Sequence, residues 1–346
     1  MDTMKALVFH GPGNMALENC PVPAIASDEV LVRVRFAGVC GTDIRIFKGT
    51  KKIPAPKITG HEFAGDIAAL GSQVSGFSVG DRVTAYPVIA CGKCYACRAG
   101  RSNICTDRIT LGYELDGGFA NFVKIPADAI AKGNLIALPV GVSYEEAAAS
   151  EPLTAAYNGI RRSNLQPGQT VLIVGAGPIG LFHTQLAKAE GAGLVAVSEP
   201  QAEKRELARK LGADAVIDPA AQDVQRAVKE LTGGVGMDIV LADVGIPKVV
   251  EQSVEYLRKG GTYVIFAGCP VGSQITIDPN LIHYKELVVT GSSAAKPEYQ
   301  KKMLQMISEG RITLKPLISG VLPAEQWLRA FEMKGNYEGL KTLLQF

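Results

Sequence analysis

Four cysteines, Cys91, Cys94, Cys97 and Cys105, follow the spacing C-x2-C-x2-C-x7-C. Thiolates this close together can close a tetrahedral shell around Zn²⁺, and a shell made only of protein ligands leaves no position for a substrate. A metal bound there shapes a loop. Disulfides among the same residues would have to join near neighbours, which their geometry disfavours. A second group has a different character. Cys40 in G-V-C-G-T-D, His61 and Glu62 in G-H-E-F-A-G, and Glu151 in E-P-L-T offer a thiolate, an imidazole and carboxylates, a mixed set able to hold Zn²⁺ with one position open. Each of these alone reads as a core or buried polar side chain; together they read as a reaction centre.

A third pattern, Gly175-Ala176-Gly177-Pro178-Ile179-Gly180, follows the apolar run Val171-Leu172-Ile173-Val174 and opens a helical pattern. In that context G-x-G-x-x-G is a dinucleotide fingerprint, with the helix N-terminus facing the pyrophosphate and Pro178 suited to the first turn. Glu199 closes the next apolar run, where a carboxylate accepts ribose hydroxyls and repels a 2′-phosphate, so NAD is expected over NADP. Lys204 and Arg205 are close enough to reach a 2′-phosphate, although Glu203-Lys204-Arg205-Glu206 also reads as a solvated helix face. Val244, Ala267 and Ser292, at or after later strand ends, are expected to line the cofactor with Lys204.

The elements that must carry these groups fall into two patterns. Short strands punctuated by Gly and Pro, over 5–10, 29–39, 82–86 and 119–125, predict a mostly β domain. Ser143 with Glu146 forms a capping box that predicts one helix running through the alanines and past Glu151. From Thr170 six apolar strands alternate with helical patterns, which predicts a doubly wound parallel sheet. Helices over 299–309 and 324–333 and a segment over 312–322 are expected to return to the first domain. The expected division is 1–152 with 292–346, and 153–291.

Composition narrows the partners. With 36 basic and 34 acidic residues the net charge is +2, too weak a field to hold a polyanion, so nucleic acid is not expected. A zinc-ribbon module binding nucleic acid is the rival from another class, and near-neutral charge argues against it. No apolar run is long enough to span a bilayer and the start, Met-Asp-Thr-Met-Lys, has no secretory pattern, so neither membrane insertion nor export is expected and the cytoplasm is the default. His183 has no partner at a metal-ligand spacing and reads as unligated.

Taken together, Cys40-Gly41-Thr42-Asp43, the G-H-E-x2-G stretch, the four-cysteine lobe and the dinucleotide fingerprint resemble the zinc-dependent medium-chain alcohol dehydrogenases, most nearly the sorbitol/polyol branch, over almost the whole chain. The resemblance implies a GroES-like catalytic domain joined to a Rossmann domain, two Zn²⁺ per subunit, NAD, a small-molecule alcohol as substrate, and a homo-oligomer, dimer or tetramer. It implies catalytic roles for Thr42, Glu62 and Glu151: Thr42 takes the alcohol proton, and a carboxylate, Glu62 directly with Glu151 through water or the reverse, completes the metal set with Cys40 and His61. Zn²⁺ lowers the pKa of an oxygen it polarises from about 16 to near 7, readying an alcohol for hydride loss to NAD⁺. Asp43 would orient a ligand. Relatives often carry His three residues after the Thr, whereas this chain has Arg45, which cannot shuttle a proton. Ser292-Ser293-Ala294-Ala295 replaces an Arg-Tyr pair typical of sorbitol dehydrogenases, which suggests a widened wall, and Arg45 and Lys48 leave room for an acidic or phosphorylated polyol. The expected reaction is oxidation of a secondary alcohol, a polyol or sugar-derived alcohol, to a ketone. Threonine 3-dehydrogenation is the alternative. Elemental analysis is expected to find two zinc ions per chain, the mixed site losing its ion to chelator before the thiolate site; one zinc or none in carefully prepared protein would refute this.

Overall fold

The computed structural model describes residues 3–346, which cluster into two compact units: residues up to Thr154 together with Ala295–Phe346, and Ala155–Ala294. In the first unit the strand Val30–Gly38 forms because Val30, Val32 and Val34 face the core while Arg33 and Arg35 face solvent, the period-two pattern of a half-buried strand. It pairs antiparallel with Phe63–Leu70, Phe122–Ile125 and Lys341–Gln345. The full path of this sheet is Leu135–Ala137, Arg82–Ala85, Phe63–Leu70, Val30–Gly38, Lys341–Gln345, Ile318–Pro323. The antiparallel register explains where chemistry can gather. The end of Val30–Gly38 and the starts of Phe63–Leu70 and Lys341–Gln345 lie at one edge, with Ala37 opposite Phe63 and Gly38 opposite Leu343. Cys40, His61, Glu62 and Lys341 are thereby brought to that edge.

The second unit is a six-stranded parallel sheet in the order Ala215–Ile217, Leu194–Ser198, Thr170–Val174, Met237–Ala242, Leu257–Ile265, Val288–Gly291. Helices such as Pro178–Ala189 and Ala202–Lys210 make the crossovers that parallel strands require. The chain is thus an α/β protein, a mostly β unit joined to a doubly wound sheet.

One expectation needs correction, and two elements that bear on the site were unforeseen. The single helix predicted from Ser143 is two, Tyr144–Ala148 and Glu151–Ser163. Pro152 has no N–H for the carbonyl of Ala148 and its ring would crowd that carbonyl, so the chain breaks and restarts. The capping box itself is present, with the Glu146 N–H donating to Ser143 Oγ at 3.2 Å and the Ser143 N–H donating to Glu146 Oε2 at 3.3 Å. A short helix, Gly41–Phe47, follows Cys40 where none was predicted; seven residues are too few for a helical period to emerge. The strand Lys341–Gln345 was also unforeseen, because four consecutive buried residues give no alternation.

The fingerprint turn obeys local sterics. Gly175 has φ of 103°, and a Cβ on Gly180 would stand 1.9 Å from the carbonyl oxygen of Gly175. Gly180→Ala must therefore push the helix off its strand, at an expected cost of about 1–3 kcal/mol. Lower Tm together with weakened NADH binding is the expected result, and an unchanged Tm would show that the turn absorbs the methyl group.

Candidate active site and metal centres

At the shared sheet edge, one ligand atom each from Cys40, His61 and Glu62 all lie within 4.8 Å of one another. Cys40 begins the helix Gly41–Phe47, and its N–H donates to Asp43 Oδ2 at 2.8 Å. The other oxygen of Asp43 stands 3.5 Å from His61 Nδ1, as expected for a residue that orients the imidazole. Glu62 is 1% exposed and forms an ion pair with Lys341, itself 3% exposed, whose ammonium also donates to the Val39 carbonyl at 3.3 Å. Burial alone would lower the Lys341 pKa, but Glu62, Cys40 and Asp43 outweigh it and raise it. Gly38 makes this approach possible, because a Cβ there would meet Glu62 Oε2 at 2.4 Å and Lys341 Cε at 2.9 Å.

The donors fit a dication. Asp43 Oδ1 and His61 Nδ1 face each other, which turns His61 Nε2 toward Glu62 Oε1 at 4.0 Å, and that carboxylate oxygen is buried with no hydrogen-bond partner, a costly arrangement unless something positive completes it. His61 is held well above its ordinary pKa: burial opposes the charged ring, but Tyr113, Asp43 and Cys40 outweigh burial. Glu151, at the start of the helix Glu151–Ser163, lies outside the 4.8 Å group. It is close enough to feel the same charges: burial pushes its carboxyl up to about 7, with His61 opposing and Glu62 reinforcing the shift. Thr42 Oγ1 accepts a hydrogen bond from Arg45 Nη2 at 3.0 Å.

Cys91, Cys94, Cys97 and Cys105 likewise bring their sulfurs within 4.8 Å of one another. Backbone amides point at these sulfurs, with Cys91 N to Cys105 Sγ at 3.2 Å and Cys94 N to Cys91 Sγ at 3.4 Å. The amides of Cys97 and Thr106 pull the Cys94 thiol down to about 5, while burial and the neighbouring thiols push Cys97 up to about 12. Four adjacent thiols resist ionising together, and a dication removes that resistance.

In the second unit Val244, Ala267 and Ser292 each follow the carboxyl end of a parallel strand, and Lys204 lies in the helix Ala202–Lys210. Val244 Cγ1 would stand 2.6 Å from a Cβ on Gly175, the Ala267 N–H donates to the Ala242 carbonyl at 3.1 Å, and Ser292 Oγ accepts from Asn158 Nδ2 at 3.0 Å. Gly177 caps the helix Pro178–Ala189, in which Ile179 falls in the first turn, and has open space where a Cβ would lie, which leaves a cradle for a phosphate. Glu199 is buried and both of its oxygens already accept amides, from Ala176 at 2.8 Å and Gln201 at 3.0 Å. Arg205 is occupied by the carbonyls of Glu199 and Pro200 and by Asp218 at 2.9 Å. Lys204 has no ion pair among the described residues.

Family models match both units: an alcohol dehydrogenase GroES-like domain over residues 26–136, and a zinc-binding dehydrogenase over residues 178–309. The chain is 35% identical to the sorbitol dehydrogenase of Halalkalibacterium halodurans, with 99% of each covered. The chain belongs to the zinc-dependent medium-chain alcohol dehydrogenases. Within that family it is also 36% identical to the L-threonine 3-dehydrogenase of Pyrococcus horikoshii, covering 96% of this chain and 95% of that one. A zinc-binding dehydrogenase of Sinorhizobium meliloti bound to NADP shares its fold with a TM-score of 0.94 at 33% identity, over 100% of both chains. As a member of the sorbitol-like branch, the protein is a zinc-dependent oxidoreductase with a nicotinamide cofactor.

Several residues escaped the sequence. Lys341 gave no signal, because its partner is 279 residues away. Tyr113, its ring 5.2 Å from that of His61, lies in no motif. His183, read as unligated, is fully buried and hydrogen-bonded, with Nδ1 2.7 Å from Asp243 Oδ2 and Nε2 3.0 Å from the Ala156 carbonyl. Ala295 is buried and its N–H donates to the Tyr86 hydroxyl at 2.6 Å. Lys341→Met would leave Glu62 buried without its countercharge, and breaking such a pair costs about 3–5 kcal/mol. Thermal melts of chelator-treated protein should show the full loss, and zinc-loaded protein a smaller one. Equal losses in the two states would separate Glu62 from the metal.

Proposed function

We propose that this dehydrogenase oxidises a secondary alcohol of the polyol or sugar-alcohol class to a ketone with NAD. The observation that carries this reading is the gathering of Cys40, His61 and Glu62 at one sheet edge in a chain that also holds a dinucleotide turn. Cys40, His61 and Glu62 would hold zinc, which would supply the Lewis acidity that lets an alcohol shed its proton near neutral pH, and the Gly175–Gly180 turn would hold NAD as the hydride acceptor. We assign the rest to the chain. Thr42 receives the alcohol proton on its hydroxyl. Arg45, donating to Thr42 Oγ1 at 3.0 Å, fixes that hydroxyl and cannot itself accept the proton, so the proton leaves through water or cofactor ribose. Glu62 completes the metal set with Cys40 and His61, while Glu151, outside the tight group, acts through water.

The buried carboxylate Glu199 favours NAD by opposing a 2′-phosphate with like charge, while Lys204 is the one candidate to soften that preference. Seven free cysteines, with no disulfide among the described residues, support a reducing compartment such as the cytoplasm. No helix among the described residues is long and apolar enough to cross a membrane. The strand Val288–Gly291 is an open sheet edge with Val288 54% exposed, which supports a homo-oligomer, because such an edge is a template for a second copy.

Threonine oxidation is the second reading, favoured by the similarity to L-threonine 3-dehydrogenase. Glu62 and Glu151 with Thr42 offer several acceptors, and a vicinal diol satisfies groups that a simple alcohol leaves unpaired, a discrimination that can reach about 10⁴-fold. Steady-state assays with NAD at pH 8–9 should give higher kcat/KM for polyols than for ethanol or threonine. Threonine leading the panel would transfer the assignment to the second reading, and ethanol leading it would defeat both.

A further inference from the structure

Beside the candidate metal edge lies a group of cations of which the reaction described above uses only Arg45, to fix the Thr42 hydroxyl. After the helix Gly41–Phe47 the chain folds back, and the N–H groups of Thr50 and Lys51 donate to the Arg45 carbonyl at 2.9 and 3.0 Å. Lys51 is returned in this way to the helix that carries Thr42. Its ammonium sits 3.9 Å from the centroid of the Tyr113 ring, and that ring is 5.2 Å from His61. Arg45 reaches Thr42 from the same helix. Arg108, five residues before Tyr113, is tethered by a bond from Nη1 to the Asn103 carbonyl at 3.2 Å.

Among the described residues, no carboxylate pairs with Arg45, Lys51 or Arg108. Glu114, whose charge acts on Lys51, spends Oε2 on the Thr110 N–H at 2.8 Å. Lys51 is half-buried, and burial first, then Arg45 and Arg108, pull its pKa down. Holding like charges together around a partly desolvated ammonium is unfavourable in the free protein. A bound anion would relieve it and would gain charge-assisted hydrogen bonds.

We propose that the substrate is a polyol bearing an anionic group, a carboxylate or a phosphate, held by Lys51 with Arg45 and Arg108 while a hydroxyl farther along its chain meets the metal edge. This assignment rests on the polyol reading above. The test is a matched series assayed on the zinc-loaded enzyme with NAD: arabitol, arabinonate and arabitol 5-phosphate. At least one anion should exceed arabitol by tenfold or more in kcat/KM, and that advantage should shrink as ionic strength rises. The better of the two identifies the anionic group. Lys51→Gln and Arg108→Gln, each checked for zinc content and NADH binding, should bring the ratio of anion to arabitol to within about threefold. Arabitol matching both anions, or a ratio indifferent to both substitutions, would overturn the inference and leave polyol oxidation standing. Oxidation of threonine or a simple secondary alcohol with no activity on any member of the series would remove the polyol reading and this inference with it.

Discussion

Glu62 and Lys341 make an ion pair almost out of reach of water, and the sheet edge around it is arranged to sustain both charges. Removing such ions from water costs several kcal/mol each, recovered only when geometry is good and further polar groups complete the pair. Lys341 gains the Val39 carbonyl; Glu62 keeps one oxygen unpartnered on the side of His61. The ammonium thus holds the carboxylate in place by one oxygen and leaves the other aimed at the ligand group. Gly38, with no side chain, lets the two approach.

The two metal loci solve opposite problems with related means. In the cysteine lobe, amides and thiols surround one another in a partly exposed loop, and a dication there is bounded on all sides by protein. At the sheet edge the donors are mixed in type and deeply buried on the His61 and Glu62 side, with Cys40 and Thr42 less enclosed. That asymmetry gives one face for holding a metal and another for admitting a reactant.

What the sequence disclosed was whatever is local. The cysteine spacing, the Gly175–Gly180 turn and the capping box at Ser143 each involve residues within one or two turns of chain, where sterics act directly. Cys40, His61 and Glu62 were legible as a joint pattern of ligand types in short glycine-bounded motifs, Cys40 just after Val30–Gly38 and the other two just before Phe63–Leu70. Contacts across the fold were not. Lys341 sits in a strand without alternation, and His183 looked idle because Asp243 enters from another strand end. The break at Pro152 was readable from proline chemistry, but the alanine run before it concealed the stop. Glu199 was placed correctly in the chain, yet the amides that already occupy both of its oxygens belong to turns whose shape the sequence does not state.

The sheet that bears the metal edge also imposes an order of events on a growing chain. The parallel sheet of Ala155–Ala294 is contiguous and can assemble as soon as it is made. The other unit must wait, because the strand Lys341–Gln345 that lies against Val30–Gly38 arrives 302 residues after Val39. Until then Glu62 has no ammonium to meet, and its carboxylate favours staying in water. A ribosome-bound nascent chain would therefore carry its nucleotide fold well before a closed metal edge.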